Sequence, residues 1–251
     1  MAAPRPLLVL LPGMDGTGRM FEPFLAAAAG FETRVVRYPP ELTRYEDCTA
    51  FARTQLPSGR PFLLLGESFS GPVALALAAE RPAGLAGVVL VSSFARNPRP
   101  EWLWLRPLLR LLPPLQLPLP LLRRLLLGKG APQALVQLTT AMLPHFPTAA
   151  MKGRTLAVAA VDHTALLGRI EVPLLALCAS HDRLVPKAAT AWIRAHRAQL
   201  DIATLRGPHW ILQTRPEACL MALRTFVAML PGGSVAALPA AGEAEASLAR
   251  P

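Results

Sequence analysis

Short, unbroken apolar runs recur along the chain, each followed by a turn and then by residues with helical spacing. The runs occupy residues 7–11, 33–37, 61–65, 87–91, 173–178 and 201–205. They are continuous rather than alternating, which predicts strands buried on both faces. Helical spacing predicts helices over residues 18–28, 45–56, 69–80, 187–196 and 215–229. Strand and helix alternate, so the expected architecture is α/β: a mostly parallel sheet of about six strands flanked by helices.

One interval, residues 97–169, breaks the alternation and shows no clear strand. Trp102, Trp104, Leu105, Leu108, Leu109, Leu111 and Leu112 crowd its first part. Pro113, Pro114, Pro118 and Pro120 punctuate its middle, and a second leucine-rich stretch covers residues 121–127. So many prolines and arginines argue against a membrane-spanning helix. The expectation is a helical cap inserted after the fourth recognised strand, with an apolar face closing over a pocket. A helical extension merely packed on the core, and an interfacial membrane contact by the Leu/Arg stretch, are the other readings. The expected division is therefore a core of residues 1–96 and 170–230, a cap of 97–169, and a tail of 231–251. The tail is Ala-rich after Gly232 and Gly233 and carries Glu243 and Glu245, so it is expected to lack fixed structure.

Composition narrows the class. Of 251 residues, 52% are hydrophobic and 17% charged, enough apolar material for one large α/β core with an insertion, or for two domains. The net charge is +10, and lysine occurs only at Lys129, Lys152 and Lys187, so arginine carries most of the positive charge. The arginines are scattered, with no basic run and no interleaved aromatic platform, which argues against nucleic acid and leaves an anionic substrate or carrier. Cys48, Cys178 and Cys219 have no regular spacing and form neither a disulfide framework nor a metal site. A reducing cytoplasm is the simplest compartment. The apolar run 7–11 is cut by Pro12 and Gly13, too early for a signal segment or a span, and reads as the first core strand; no stable membrane insertion is expected.

The chemistry centres on Leu63-Leu64-Leu65-Gly66-Glu67-Ser68-Phe69-Ser70-Gly71. A strand runs into a turn of small residues and a helix opens directly after it, with Ser68 at the apex. This is the layout of a nucleophile elbow, G-x-S-x-G, except that Ser70 stands at the second glycine. An ordinary strand–turn–helix with a surface serine has the same local pattern. A serine hydroxyl needs a base, and the base needs an orienting carboxylate. Asp182, just past the strand 173–178, lies where the C-terminal edge of a parallel sheet would place it. It also fits a turn aspartate or a helix cap; Asp162, in the expected cap, is its rival. His209 follows the last strand and is the candidate base. His145 and His163 fall in the cap region, His181 directly precedes the candidate acid, and His196 sits near a helix end. Two backbone donors should face the oxyanion. The N–H of Phe69 directly follows the serine. Met14 belongs to the glycine-rich loop Gly13-Met14-Asp15-Gly16-Thr17-Gly18, which can fold close to it. That loop lacks the lysine and the spacing of nucleotide-binding loops. Asp15 suits either a substrate contact or an Asp-Gly turn.

With these residues and their order, Ser68 then Asp182 then His209, the chain resembles the α/β-hydrolase superfamily over residues 7–229. It is similar to the compact bacterial serine hydrolases with a helical cap, such as the pimeloyl-carrier-protein methyl ester carboxylesterases. The Pro-Gly-Met-Asp-Gly-Thr-Gly loop is also similar to that of plastid acyltransferases of the phytyl ester synthase kind. Two departures are Pro12-Gly13 in place of the common His-Gly and Ser70 in place of glycine. The run 7–11 corresponds to the family's third strand, so the two leading strands are expected to be absent. The resemblance implies a Ser68–His209–Asp182 triad with an oxyanion hole of Met14 and Phe69, and no cofactor or metal. The implied activity is cleavage of a carboxylic ester of a small or medium-chain acyl group through an acyl-enzyme. The same residues suit an acyl thioesterase or acyltransferase. A non-catalytic ligand-binding protein on the same fold is the alternative from another class. The expected partner is a small-molecule acyl ester. Arg96, Arg99, Arg106, Arg110, Arg123 and Arg124 fit an anionic acyl carrier and a solvated cap face equally well.

Overall fold

The six strands are β1 (Leu7–Leu11), β2 (Thr33–Val35), β3 (Phe62–Glu67), β4 (Leu85–Val91), β5 (Leu174–Ala179) and β6 (Leu200–Leu205). In the computed structural model, which describes residues 6–28, 30–105, 119–142 and 148–231, they form one parallel sheet in the order β2-β1-β3-β4-β5-β6. The helices are α1 (Glu22–Ala27), α2 (Tyr45–Thr54), α3 (Gly71–Ala79), α4 (Leu119–Leu127), α5 (Gln133–Met142), α6 (Thr148–Val158), α7 (Lys187–His196), α8 (Ile211–Thr214) and α9 (Pro216–Met229).

Strand alternation divides the continuous runs into two cores. Leu7, Val9, Leu11, Leu64, Val88, Leu90, Leu174 and Ala176 pack with Tyr45 and Cys48 of α2, Val73 of α3 and Ile193 of α7. Leu8, Leu10, Leu63, Leu65, Val89, Val91, Leu175 and Leu177 pack with Phe24 of α1 and Leu220, Leu223 and Phe226 of α9. Each fully buried Val, Leu, Ile or Phe among them contributes about 1.5–3 kcal/mol by leaving water. The edge strands depart from burial on both faces. No residue of β2 is fully buried, and only Leu200 of β6 is.

Element ends differ from the sequence expectation for local reasons. Pro23 and Pro72 stand in the first turns of α1 and α3, where their missing N–H costs nothing, so each helix starts there. The residues before them form 3-10 turns, Arg19–Phe21 and Ser68–Ser70. β2 stops early because the Tyr38 N–H turns to the Gly16 carbonyl at 2.9 Å. β3 runs on through Gly66 and Glu67, which pair with Leu90 and Val91 of β4.

The chain leaves the sheet after β4 through an antiparallel bridge between Arg96 and Asp162. Asn97 N–H to the Val161 carbonyl (2.9 Å) and His163 N–H to the Ala95 carbonyl (2.8 Å) close this neck. Beyond it lie a 3-10 segment, Pro100–Leu105, and then α4, α5 and α6. A third apolar cluster joins this insertion to the core: Leu126, Leu127 and Leu135 pack with Met20 and Trp210. Residues 106–118, with Arg106 and Arg110, lie outside the described residues, as do His145 and all of the expected tail but Pro231. Among the described residues, no helix is long and apolar enough to cross a membrane.

Candidate active site

Ser68 follows the last residue of β3 with φ at +49°, in the left-handed region that costs a non-glycine residue energy. Close packing enforces the turn. A Cβ on Gly66 would lie 2.6 Å from the Ser70 carbonyl, and one on Gly71 would lie 1.8 Å from Ser93 Oγ. Ser93 Oγ donates to the Ser68 carbonyl at 2.6 Å, tying the turn to the end of β4. Ser70 is not a weaker glycine. Its hydroxyl donates to the Pro12 carbonyl at 2.5 Å and lies 3.0 Å from the Tyr38 hydroxyl, so it binds the elbow to the loop after β1.

Asp182 follows β5, and His209 follows β6. The two loops are joined by the His181 N–H donating to the Gly207 carbonyl at 2.9 Å. Asp182 Oδ1 accepts the N–H groups of Leu184 and Val185, each at 2.9 Å, and Oδ2 stands 2.8 Å from His209 Nδ1. His209 Nε2 stands 3.0 Å from Ser68 Oγ. An ionised carboxylate only accepts, so Nδ1 carries the proton of the neutral ring and Nε2 is left to accept from the serine hydroxyl. The side chains of His209 and Asp182 are only 3% and 5% exposed, which strengthens both contacts.

The loop after β1 turns at residues 13–16, closed by the Gly16 N–H to the Gly13 carbonyl at 3.1 Å. A Cβ on Gly13 would lie 3.7 Å from Glu67 Oε2, so the loop passes against the residue preceding Ser68. Asp15 Oδ2 accepts the Thr17 N–H at 2.9 Å and the Thr17 hydroxyl, which engages this carboxylate within the turn. The Phe69 ring stacks on Tyr45 with centroids 4.7 Å apart.

The other candidates lie elsewhere. Asp162 Oδ1 accepts the Thr164 N–H at 2.9 Å beside the neck. The His163, His181 and His196 rings bond the Pro72 carbonyl, Ser180 Oγ and the Trp192 carbonyl. Arg96 covers the Trp192 ring, and Arg99 donates to the Arg183 carbonyl at 2.7 Å, beside the Asp182 loop. Arg124 is exposed on α4 and Arg123 is half-buried.

Sequence reasoning misses the residues beneath the site. Glu67 is buried, and its carboxylate accepts from Gln213 Nε2 at 2.8 Å. Burial pushes its pKa up to about 7, against the pull of the Gln213 hydrogen bond. Gln213 lies on α8, a four-residue helix directly after His209 and Trp210 that has too little length to show a period. The Trp210 N–H donates to the Leu126 carbonyl of α4 at 3.0 Å, so the insertion is bonded to the residue after His209.

Comparison with known proteins agrees with this fold. A family model described as alpha/beta hydrolase family matches residues 8–222. The fold is similar to that of a lipase-esterase related protein from Clostridium acetobutylicum ATCC 824, with 16% identity, a TM-score of 0.74, and 88% of this chain and 94% of that one covered. It is also similar to a hydrolase from Pseudomonas aeruginosa PA01, with 25% identity, a TM-score of 0.70 and coverage of 90% and 91%. An esterase from Exiguobacterium antarcticum has 15% identity, a TM-score of 0.71 and coverage of 90% and 92%. A search of curated proteins finds no match.

Proposed function

This chain belongs to the α/β-hydrolase family, and from that premise we propose that it is a serine hydrolase of carboxylic esters with a small or medium-chain acyl group. The observation that carries the reading is the hydrogen-bonded chain from Asp182 through His209 to Ser68, at 2.8 and 3.0 Å. His209 Nε2 takes the Ser68 proton as Oγ attacks the ester carbonyl. The N–H groups of Phe69 and Met14 stabilise the tetrahedral oxyanion. His209 then protonates the leaving alcohol and activates water to release the acyl group. Asp182 holds the ring in the Nδ1–H tautomer and stabilises the imidazolium formed in each half-reaction. The helical insertion acts as a cap. Its apolar cluster, which includes Trp210 beside His209, suits an acyl chain rather than a polar substrate.

The test has two parts. A fluorophosphonate probe should label the folded protein at Ser68, and failure to label would remove the hydrolase reading. Rates on p-nitrophenyl esters and acyl thioesters of graded length should favour short to medium oxygen esters. A preference for long-chain lipid emulsions would refute the acyl-length assignment, and thioester preference would refute the ester assignment.

A further inference from the structure

Arg154 sits on α6, inside the insertion, yet its side chain is fully buried. A guanidinium is seldom buried without several acceptors, because its five N–H donors lose water together. Here it reaches across to two loops of the core. Nη1 donates to the Met14 carbonyl at 3.0 Å, Nε to the Leu42 carbonyl at 3.1 Å, and Nη2 to the Pro39 carbonyl at 3.3 Å. The fit is tight at Gly16, where a Cβ would stand 2.3 Å from Nη1. The guanidinium carbon lies 5.7 Å from the Tyr38 ring centroid and 5.8 Å from that of Phe69.

The Met14 carbonyl is the acceptor with a consequence for chemistry. In a trans peptide the C=O and N–H point in opposite directions. The Gly13 carbonyl accepts the Gly16 N–H, so the Met14 N–H of that same plane points away from the turn. The next plane, between Met14 and Asp15, offers its carbonyl to Arg154. Both planes flanking the Met14 Cα are therefore held, one by the turn and one by a side chain from the insertion.

We propose that Arg154 is a positioning residue for oxyanion stabilisation, fixing the Met14 backbone so that its N–H is presented before the substrate arrives. This rests on the assignment of the Met14 N–H as an oxyanion donor in the proposed function. Oxyanion donors act most strongly when they need no reorganisation during the reaction. A structural clamp alone would not confer that effect. It would alter stability or substrate binding and leave the chemical step unchanged.

The experiment compares the full chain with Arg154→Met and Arg154→Lys. It measures steady-state hydrolysis of p-nitrophenyl butyrate, the rate of fluorophosphonate labelling, and thermal unfolding. Arg154→Met should lower kcat by about tenfold, less than the 10²–10³ lost when a donor is deleted, and leave KM within about twofold. Labelling should slow in parallel. Arg154→Lys keeps the charge and a single donating nitrogen without the guanidinium fork, and should recover part of kcat. Wild-type protein that neither labels nor turns over would fail the hydrolase reading itself, and the inference with it. An active wild type beside folded variants with unchanged kcat would overturn the inference alone. So would a rise in KM at constant kcat, or loss of the folded state in both variants, since each makes Arg154 a structural clamp.

Discussion

The C-terminal edge of the sheet and the helical insertion hold their residues by different forces. At the edge, Ser68, Asp182 and His209 each stand within a few residues of a strand end, and their side chains meet hydrogen-bond partners at 2.8–3.0 Å. Ser93, Ser70 and Tyr38 add directional ties beneath the serine. The insertion is bonded at its neck, from Arg99 to the Arg183 carbonyl, at Leu126 to Trp210, and at Arg154. It is also attached by apolar contact, through the cluster around Met20, Leu135 and Trp210 and through Ala157, Val158, Val161 and Leu167 against the main core. Hydrogen bonds fix direction, whereas apolar contact fixes only proximity. Under the proposed mechanism the edge sets the reaction and the insertion sets what fits, apart from Arg154, which we propose steadies the Met14 backbone.

Ser68→Ala tests the comparison most severely. The proposed mechanism expects kcat to fall by at least about 10³-fold. The melting temperature should stay near that of the wild type, because the lost hydroxyl takes part in chemistry more than in packing. Asp182→Asn should produce a loss of similar order by favouring the wrong tautomer of His209. If Leu135→Ala in the insertion lowered kcat as far as either, the separation of roles would collapse.

Glu67→Gln carries the next largest effect and sharpens the picture of the edge. The buried Glu67 carboxyl has a folded pKa of about 7, above the ordinary 4.5 of the exposed group. Below pH 4.5 the carboxyl is neutral in both states. Between 4.5 and about 7 the unfolded chain gives up the proton while the folded chain keeps it. Stability from this group therefore falls as pH rises through that window, by on the order of 3 kcal/mol. Glutamine keeps an acceptor for Gln213 and has no proton to lose. The variant should gain stability over the wild type at pH 8 and not at pH 4, measured by urea unfolding. Parallel stability curves for the two proteins would remove Glu67 from the linkage.

The sheet is legible in the sequence because burial on both faces writes its central strands as continuous apolar runs. All six strands run through the predicted stretches, β1 without a shift and the others with ends shifted by one or two residues. The edge strands depart in burial, and the end of β2 and the 3-10 turns before Pro23 and Pro72 depart because pairing and missing N–H groups, not hydropathy, set their limits. Ser68, Asp182 and His209 are legible as chain positions, since each follows a strand. Ser93, Gln213 and Arg154 are not, because their relevant partners lie 25, 146 and 140 residues away and leave no local pattern. The insertion is least legible, since prolines interrupt its leucines and no single period survives.

Leu135→Ala tests the adaptable side. It removes side-chain volume from the cluster that reaches Trp210, next to His209. The preferred acyl chain should lengthen by about two carbons, at roughly 0.8 kcal/mol per methylene gained. On the shortest ester kcat should stay within about twofold. A graded p-nitrophenyl ester series reads both. An unchanged length preference would detach this cluster from substrate selection.

Ser70→Gly has the smallest expected effect and probes whether the edge and the loop after β1 act as one unit. It restores the G-x-S-x-G pattern, yet it should weaken the protein. Ser70 has φ of −83°, so glycine brings no conformational relief there. The Pro12 carbonyl and the buried Tyr38 hydroxyl each lose a partner, a cost of about 1–2 kcal/mol. Because Pro12 leads directly into the loop carrying Met14, kcat should also fall, by about threefold, as the two proposed oxyanion donors lose register. Ser70→Ala should match the stability loss, since it removes the same hydroxyl without adding backbone freedom. If Ser70→Gly proved as stable and active as the wild type, the serine would be a neutral substitute for glycine, and the elbow and loop would be held together by packing alone.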